Sequence, residues 1–146
     1  MSNNRIMVIG GGPAGLEAAR GVVELGYELV LVEQRNELGG TPISASYAAL
    51  TPDMVDTETA MERMVDAVTN DSLADIRLDS TITAVEGTAP DLSVTLETEG
   101  GSEVVEVGAV VVATGFKHFD PGKETQRYGY YEYDDVITLV DAEKML

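Results

Sequence analysis

Apolar and polar positions change period along the chain, and the changes mark its elements. Arg5–Ile9 is a short apolar, β-prone run that ends on three glycines, Gly10 to Gly12. From Pro13 to Leu25 the apolar residues Leu16, Ala19, Val22 and Val23 fall at helical spacing, and Gly26 stops the helix. Pro13 suits the first helical turn, where its missing N–H would have no partner anyway. Glu28 to Glu33 (ELVLVE) then reads as a second strand. Strand, crossover helix and strand make a βαβ unit, parallel and right-handed.

Beyond this unit the pattern loosens. Residues 36 to 52 are rich in Gly, Pro, Ser and Thr and read as a loop. Asp56 to Val68 reads as a helix, with Met61, Met64, Val65 and Val68 on its apolar face. Ile76 to Val85 is a strand region. Leu92 to Thr98 and Glu103 to Val107 alternate apolar and polar around Gly100-Gly101, the pattern of a hairpin. Ala109 to Ala113 is an unbroken apolar run, which predicts a strand buried on both faces. After Gly115 the chain reads as a tyrosine-rich loop. A last short helix opens near Thr138, where Thr138 and Asp141 form a possible capping pair, and it runs to Met145-Leu146 with no stop signal. The fold class that follows is α/β: a Rossmann-like domain with a parallel sheet, a crossover helix and an antiparallel insertion. One domain is expected over residues 1–146, as a short relative or a piece of a longer protein.

Composition removes whole classes of chemistry. There is no cysteine, so thiolate catalysis, disulfides and cysteine-held iron–sulfur clusters are excluded for this sequence. A single histidine, His118, argues against a histidine-based metal site, and no metal is expected. Redox chemistry would have to come from an organic cofactor. The net charge of −17 disfavours nucleic-acid binding and requires that any anionic ligand be met by backbone dipoles. No apolar stretch has membrane-spanning length and the N-terminus lacks the features of a signal peptide, so direct membrane insertion is not expected and a cytoplasmic location is.

The candidate chemistry lies where the first strand meets its helix. Gly10-x-Gly12-x-x-Gly15 follows a strand and opens a helix, the context a dinucleotide fingerprint needs. Gly10 permits the tight turn, Gly12 lets a diphosphate approach the backbone, and Gly15 lets the helix lie close to the sheet. Pro13 and Ala14 open the helix whose N-terminal amides would face the diphosphate. Glu33 closes the second strand 18 residues after Gly15, where a carboxylate can accept from both hydroxyls of an adenosine ribose and repel a 2′-phosphate. Gln34 and Arg35 follow it. Gly39, Gly40 and Thr41 add a second glycine turn that can bring further amides beside the diphosphate. Ala113-Thr114-Gly115 ends the apolar strand. From the residues alone either FAD or NAD is admissible, and no catalytic residue can be assigned.

GGGPAG, the acid at Glu33, the LGG at 38–40, the hairpin and the ATG at 113–115 together resemble the FAD domain of the two-dinucleotide-binding-domain flavoproteins. The resemblance implies a β-meander inserted in the sheet, and an adenine lying near Ile82. Past the ATG, Phe116, Phe119, Asp120, Pro121, Tyr128, Gly129, Tyr130, Val136, Ile137, Thr138 and Glu143 fit a stretch found in the A subunit of heterodisulfide reductase and in the A and B subunits of the quinone-interacting oxidoreductase complex. This implies an FAD-carrying electron-transfer subunit that works with iron–sulfur subunits or with a second copy of itself. Three family features are missing: the cysteines, the C-terminal Gly-Asp element and a second GxGxxG. The adenosine-diphosphate half of an FAD site is therefore more fully represented than the flavin half.

Four further features carry no function at this level. His118 reads as a surface histidine, Met61 and Met64 as core, and Asp134-Asp135 as a solvated turn. The tyrosines at 128, 130, 131 and 133 read as packing against a neighbouring segment or subunit.

Overall fold

A computed structural model describes residues 3–124 and 127–145. The chain opens with β1 (Arg5–Ile9), α1 (Pro13–Glu24) and β2 (Glu28–Val32), a parallel βαβ unit. It continues through α2 (Gly40–Ser44), β3 (Ala49–Leu50), β4 (Val55–Asp56), α3 (Thr57–Thr69) and β5 (Ala74–Arg77). β6 (Thr81–Thr88), β7 (Asp91–Thr98) and β8 (Gly101–Val107) form an antiparallel meander, and β9 (Ala109–Val112) returns to the first sheet. α4 (Pro121–Glu124), a 3₁₀ turn at Arg127–Gly129 and α5 (Leu139–Glu143) follow. The parallel sheet has the order β5-β2-β1-β9.

The two-residue side-chain period of β1 and β2 divides the core into two layers. Val8, Leu29 and Leu31 face α1 and α3, where they pack on Leu16, Ala19, Val22, Val23, Met61 and Val68. Met7, Val30 and Val32 face the other way and pack on Val94, Leu96, Val105 and Val107 of the meander. Helices thus cover one face of the sheet and the meander covers the other. This sandwich pins the C-terminal ends of β1, β2 and β9 side by side, and the glycine turn leaves from that edge.

The structure corrects the sequence reading in four places. Ile76–Val85 is two strands: Asp79, at φ 47°, turns the chain between β5, which extends the parallel sheet, and β6, which joins the hairpin to make the meander that the resemblance implies. The 36–52 loop contains α2 and the short β3. The stretch after Gly115 holds α4 and a 3₁₀ turn. Finally, β9 is not buried on both faces. Among the described residues it pairs only with β1, at the edge of the sheet, and its faces are largely uncovered, with Val112 70% exposed. An apolar run records affinity for a sheet but not how many neighbours the strand has. The expected run-out of the last helix reaches Leu146, which lies outside the described residues.

The expected cap at Thr138 forms: Thr138 and Asp141 make a reciprocal capping box on α5. α3 has a cap of its own. The amide of Thr59 donates to Asp56 Oδ1 at 2.9 Å, and this bond holds the Asp56 carboxyl below the usual carboxylate range. A depressed native pKa adds stability above the unfolded pKa, and that stability is lost as pH falls through the native one. Asp56→Ala is therefore expected to lower the urea midpoint at pH 7, and the gap from the parent protein should close as pH drops through the carboxylate range. A gap that persists at low pH would assign the loss to something other than the charged cap.

Candidate functional site

The glycine turn is built by backbone geometry that side chains could not adopt. Gly10 has φ 108°, and a Cβ there would overlap the carbonyl oxygen of Ala113 and lie 2.8 Å from its carbon. Its amide donates to Val32 O at 2.8 Å, which ties the turn to the end of β2. At Gly15 a Cβ would overlap the carbonyl oxygen of Gly10, so α1 lies against the turn itself. Gly12 differs. Its φ is −82°, and a Cβ there would meet nothing nearer than Gly40 Cα at 3.7 Å. The space over Gly12 is open, and Gly12 lines the cleft.

α1 begins with no side-chain cap and no acidic residue in its first turn. Its first amides therefore have no side-chain acceptor, and the positive end of its dipole faces the cleft. In a chain of net charge −17 this is where an anionic group can be received. Arg35 adds a side-chain cation to the lining and pairs with no described carboxylate.

The second glycine turn is fastened to the first. Gly39 has φ 116° and its amide donates to Gly11 O at 2.8 Å. A Cβ on Gly40 would lie 3.3 Å from Gly12 N, so the two turns touch through backbone alone. The sequence does not show this contact, because it depends on α2 folding back over the first turn.

Glu33 is buried, at 6% exposure. Its Oε2 accepts from the Gly11 amide at 2.7 Å and its Oε1 accepts from the Arg35 amide at 3.0 Å. The carboxylate therefore shapes the glycine turn as well as bordering the cleft, a structural role that its position in the sequence does not reveal. Each oxygen retains lone-pair capacity beyond these single bonds.

Two adjoining recesses meet at this edge. The first, about 280 Å³, is lined by Gly10, Gly12, Pro13, Ala14, Glu33, Gln34, Arg35, Gly40, Thr41, Ala113, Thr114 and Gly115 among the expected residues. The second, about 370 Å³, has Ile82 in its wall. Gly10, Glu33, Gln34 and Thr114 border both. Of the expected residues only Gly15 and Gly39 stand behind the wall. Sequence reasoning missed Pro42, Tyr47 and Phe116 in the first recess and Ser80 and Thr81 in the second. Phe116 was within reach, since it follows the ATG directly, but Tyr47 carries no local signal. No group of three or more metal-ligating side chains occurs among the described residues, and no helix there is long and apolar enough to cross a membrane.

Comparison with known proteins agrees with this geometry. The family model for pyridine nucleotide-disulphide oxidoreductases matches residues 4–145. Over 42 residues the chain is 45% identical to the iron-sulfur A subunit of a CoB–CoM heterodisulfide reductase of Methanopyrus kandleri, a match covering 29% of this chain and 6% of that protein. It is 30% identical over 74 residues to the cinnamate reductase of Clostridium sporogenes, covering 51% of this chain and 10% of that one. In fold it is similar to the L-proline dehydrogenase from P. horikoshii (TM-score 0.66, 24% identity, 77% of this chain and 23% of that one). It is likewise similar to the thioredoxin reductase from Giardia duodenalis (TM-score 0.56, 22% identity, 78% and 31%). The chain thus spans a small fraction of the relatives it matches. It belongs to the pyridine nucleotide-disulphide oxidoreductase family, and its Rossmann-like fold and nucleotide-binding character follow from that membership.

Proposed function

We propose that this family member holds FAD, with the adenosine diphosphate across the glycine turn and Glu33, and that it serves in electron transfer as one subunit of a larger complex. The observation that carries the reading is the double turn: Gly12 and Gly40 meet by backbone alone at the mouth of an uncapped helix. A Cβ at Gly12 would fill the cradle. The residues present therefore fit a diphosphate.

Glu33 is the group for the adenosine ribose, and the recess bordered by Ile82 is the place for the adenine. Gly39, Gly40 and Thr41 hold the second turn against the first, on the path toward the other end of the dinucleotide. The flavin supplies the redox chemistry when bound, and no side chain of this chain is needed to form a covalent bond. The protein binds the cofactor, orients it and lends local positive potential from the α1 dipole and Arg35. The relatives named as heterodisulfide reductase subunits support partners among other electron-transfer subunits. These 146 residues contain no cysteine, so none of them would ligate an iron–sulfur cluster through sulfur.

The test is an absorbance spectrum of the purified protein after adding FAD and desalting. Retained bands near about 375 and 450 nm, the absorption of a bound flavin, are expected. Loss of all flavin on desalting, together with tight NAD binding in a parallel titration, would transfer the site to NAD.

A further inference from the structure

One end of the first recess is not explained by the glycine turns or by Glu33. Tyr47 and Phe116 line that recess and take no part in the one that Ile82 borders. His118 connects them. Its ring centroid lies 5.8 Å from that of Tyr47 and 5.2 Å from that of Phe116, edge-on to both at 63° and 81°. Tyr47 Oη is 2.9 Å from His118 Nε2, a bond between residues 71 positions apart that joins the loop after α2 to the segment after β9. The next residue is also fixed, because the Ala48 amide donates to Glu143 Oε2 at 3.0 Å. Burial, with a smaller contribution from Glu143, raises the Tyr47 phenol, so it stays protonated and able to donate at neutral pH.

Phe116 is 67% exposed. An aromatic side chain held at a cleft mouth presents apolar surface that a planar ligand ring can cover. The order of residues along the groove indicates which ring. Ile82 belongs to one recess only, Tyr47 and Phe116 to the other only, and Glu33 to both. A dinucleotide has a ring system at each end of its diphosphate. With the adenosine end toward Glu33 and Ile82, the other ring runs along Thr41 and Pro42 to Tyr47 and Phe116.

We propose that Tyr47 and Phe116 form an aromatic receptor for the non-adenine ring of the dinucleotide, and that His118 positions the Tyr47 ring. This rests on the FAD reading and adds its selectivity: the glycine turns accept any adenosine diphosphate, and the aromatic pair favours one that carries a large fused ring. Arg35 is the cation of the lining, and its amide is bound to Glu33 Oε1 at the adenosine end, so the aromatic end recognises by stacking rather than by charge.

The experiment measures FAD and ADP affinities by calorimetry for the parent protein and for Tyr47→Ala, Phe116→Ala, Tyr47→Phe and His118→Ala, and follows flavin fluorescence in the FAD titrations. The parent should bind FAD about tenfold or more tighter than ADP, the size expected of ring stacking on an aromatic side chain. Its bound flavin should be strongly quenched, since a stacked phenol donates an electron to the excited ring. In Tyr47→Ala and Phe116→Ala the FAD advantage should fall severalfold while ADP affinity holds, and Tyr47→Ala should lose most of the quenching. Tyr47→Phe should keep most of the FAD affinity and lose most of the quenching. His118→Ala should reduce both partly. Phe116 is exposed enough that its truncation leaves the fold intact. If the parent retains FAD and the FAD-to-ADP ratio is the same in every variant, the aromatic receptor is overturned and the FAD reading stands. If the parent binds ADP and FAD equally, the receptor alone is overturned; if it binds ADP but retains no FAD on desalting, both are overturned.

Discussion

Gly15→Ala should leave little folded protein, whereas Gly12→Ala should fold normally and fail to bind. The two glycines sit in one motif, three residues apart, and the structure separates their tasks. A Cβ at Gly15 overlaps the Gly10 carbonyl oxygen and stands 2.9 Å from its carbon. Both atoms are backbone, and neither can rotate away. The turn is also anchored, because the Gly10 amide donates to Val32 O at 2.8 Å. α1 would have to lift off the sheet, loosening Leu16 and Ala19 from Val8 and Leu31. Overpacking of a close-packed core costs typically about 1–3 kcal/mol and more where backbone must move, a large share of a domain's total stability.

At Gly12 the added methyl meets only Gly40 Cα, at 3.7 Å, an ordinary contact. Its melting temperature should stay within a few degrees of the parent's. Its ligand affinity should fall by about 1–3 kcal/mol or more, because the methyl occupies the space a diphosphate would take. Thermal melts and FAD titrations of both variants check this. A Gly12→Ala protein that binds FAD as the parent does would remove the diphosphate from that position.

The same contrast shows what could be read from the sequence. The βαβ unit was legible because both of its periods are strong and its punctuation is sharp: Gly10 to Gly12, Pro13 and Gly26 each mark a boundary. The cradle was legible for the same reason, since strand, turn, helix and distal acid are close in sequence. The chain from Ile76 to Val85 was not, because a turn at Leu78-Asp79-Ser80 lacks glycine and proline, and Asp79 takes positive φ itself. The edge position of β9 was hidden because AVVV looks the same with one neighbour or two. Tyr47 and its bond to His118 were invisible because the contact spans 71 residues and depends on the path of α2. Local signals identified the motif, and long-range packing decided which further residues border it.

Glu33 borders the candidate cleft and also holds together the backbone that shapes it. Its side chain is buried and spans two amides, Gly11 N at 2.7 Å and Arg35 N at 3.0 Å. Its main chain joins two further elements, with its own amide donating to Arg77 O and its carbonyl accepting from Ser80 N. Glu33→Ala keeps the main-chain bonds and strips both side-chain ones. The Gly11 amide is then buried without an acceptor, which costs about 1–3 kcal/mol, and the turn that shapes the cleft loosens. Glu33→Gln keeps one acceptor oxygen and turns an N–H₂ toward a donor, so it should fall between Ala and the parent in urea melts. A drop in FAD affinity would therefore not by itself assign a ribose contact.

The separating measurement is the preference for ADP over 2′-deoxy-ADP. If Glu33 accepts from the ribose hydroxyls, as proposed, the parent should prefer ADP by about ten- to a hundredfold, the worth of one hydrogen bond to a charged group. That preference should vanish in Glu33→Ala and shrink in Glu33→Gln. The parent should also reject a 2′-phosphorylated ADP, and Glu33→Gln should relax the rejection by removing the negative charge. A preference that survives in Glu33→Ala would confine the carboxylate to scaffolding, holding Gly11 where the diphosphate needs it without touching the sugar.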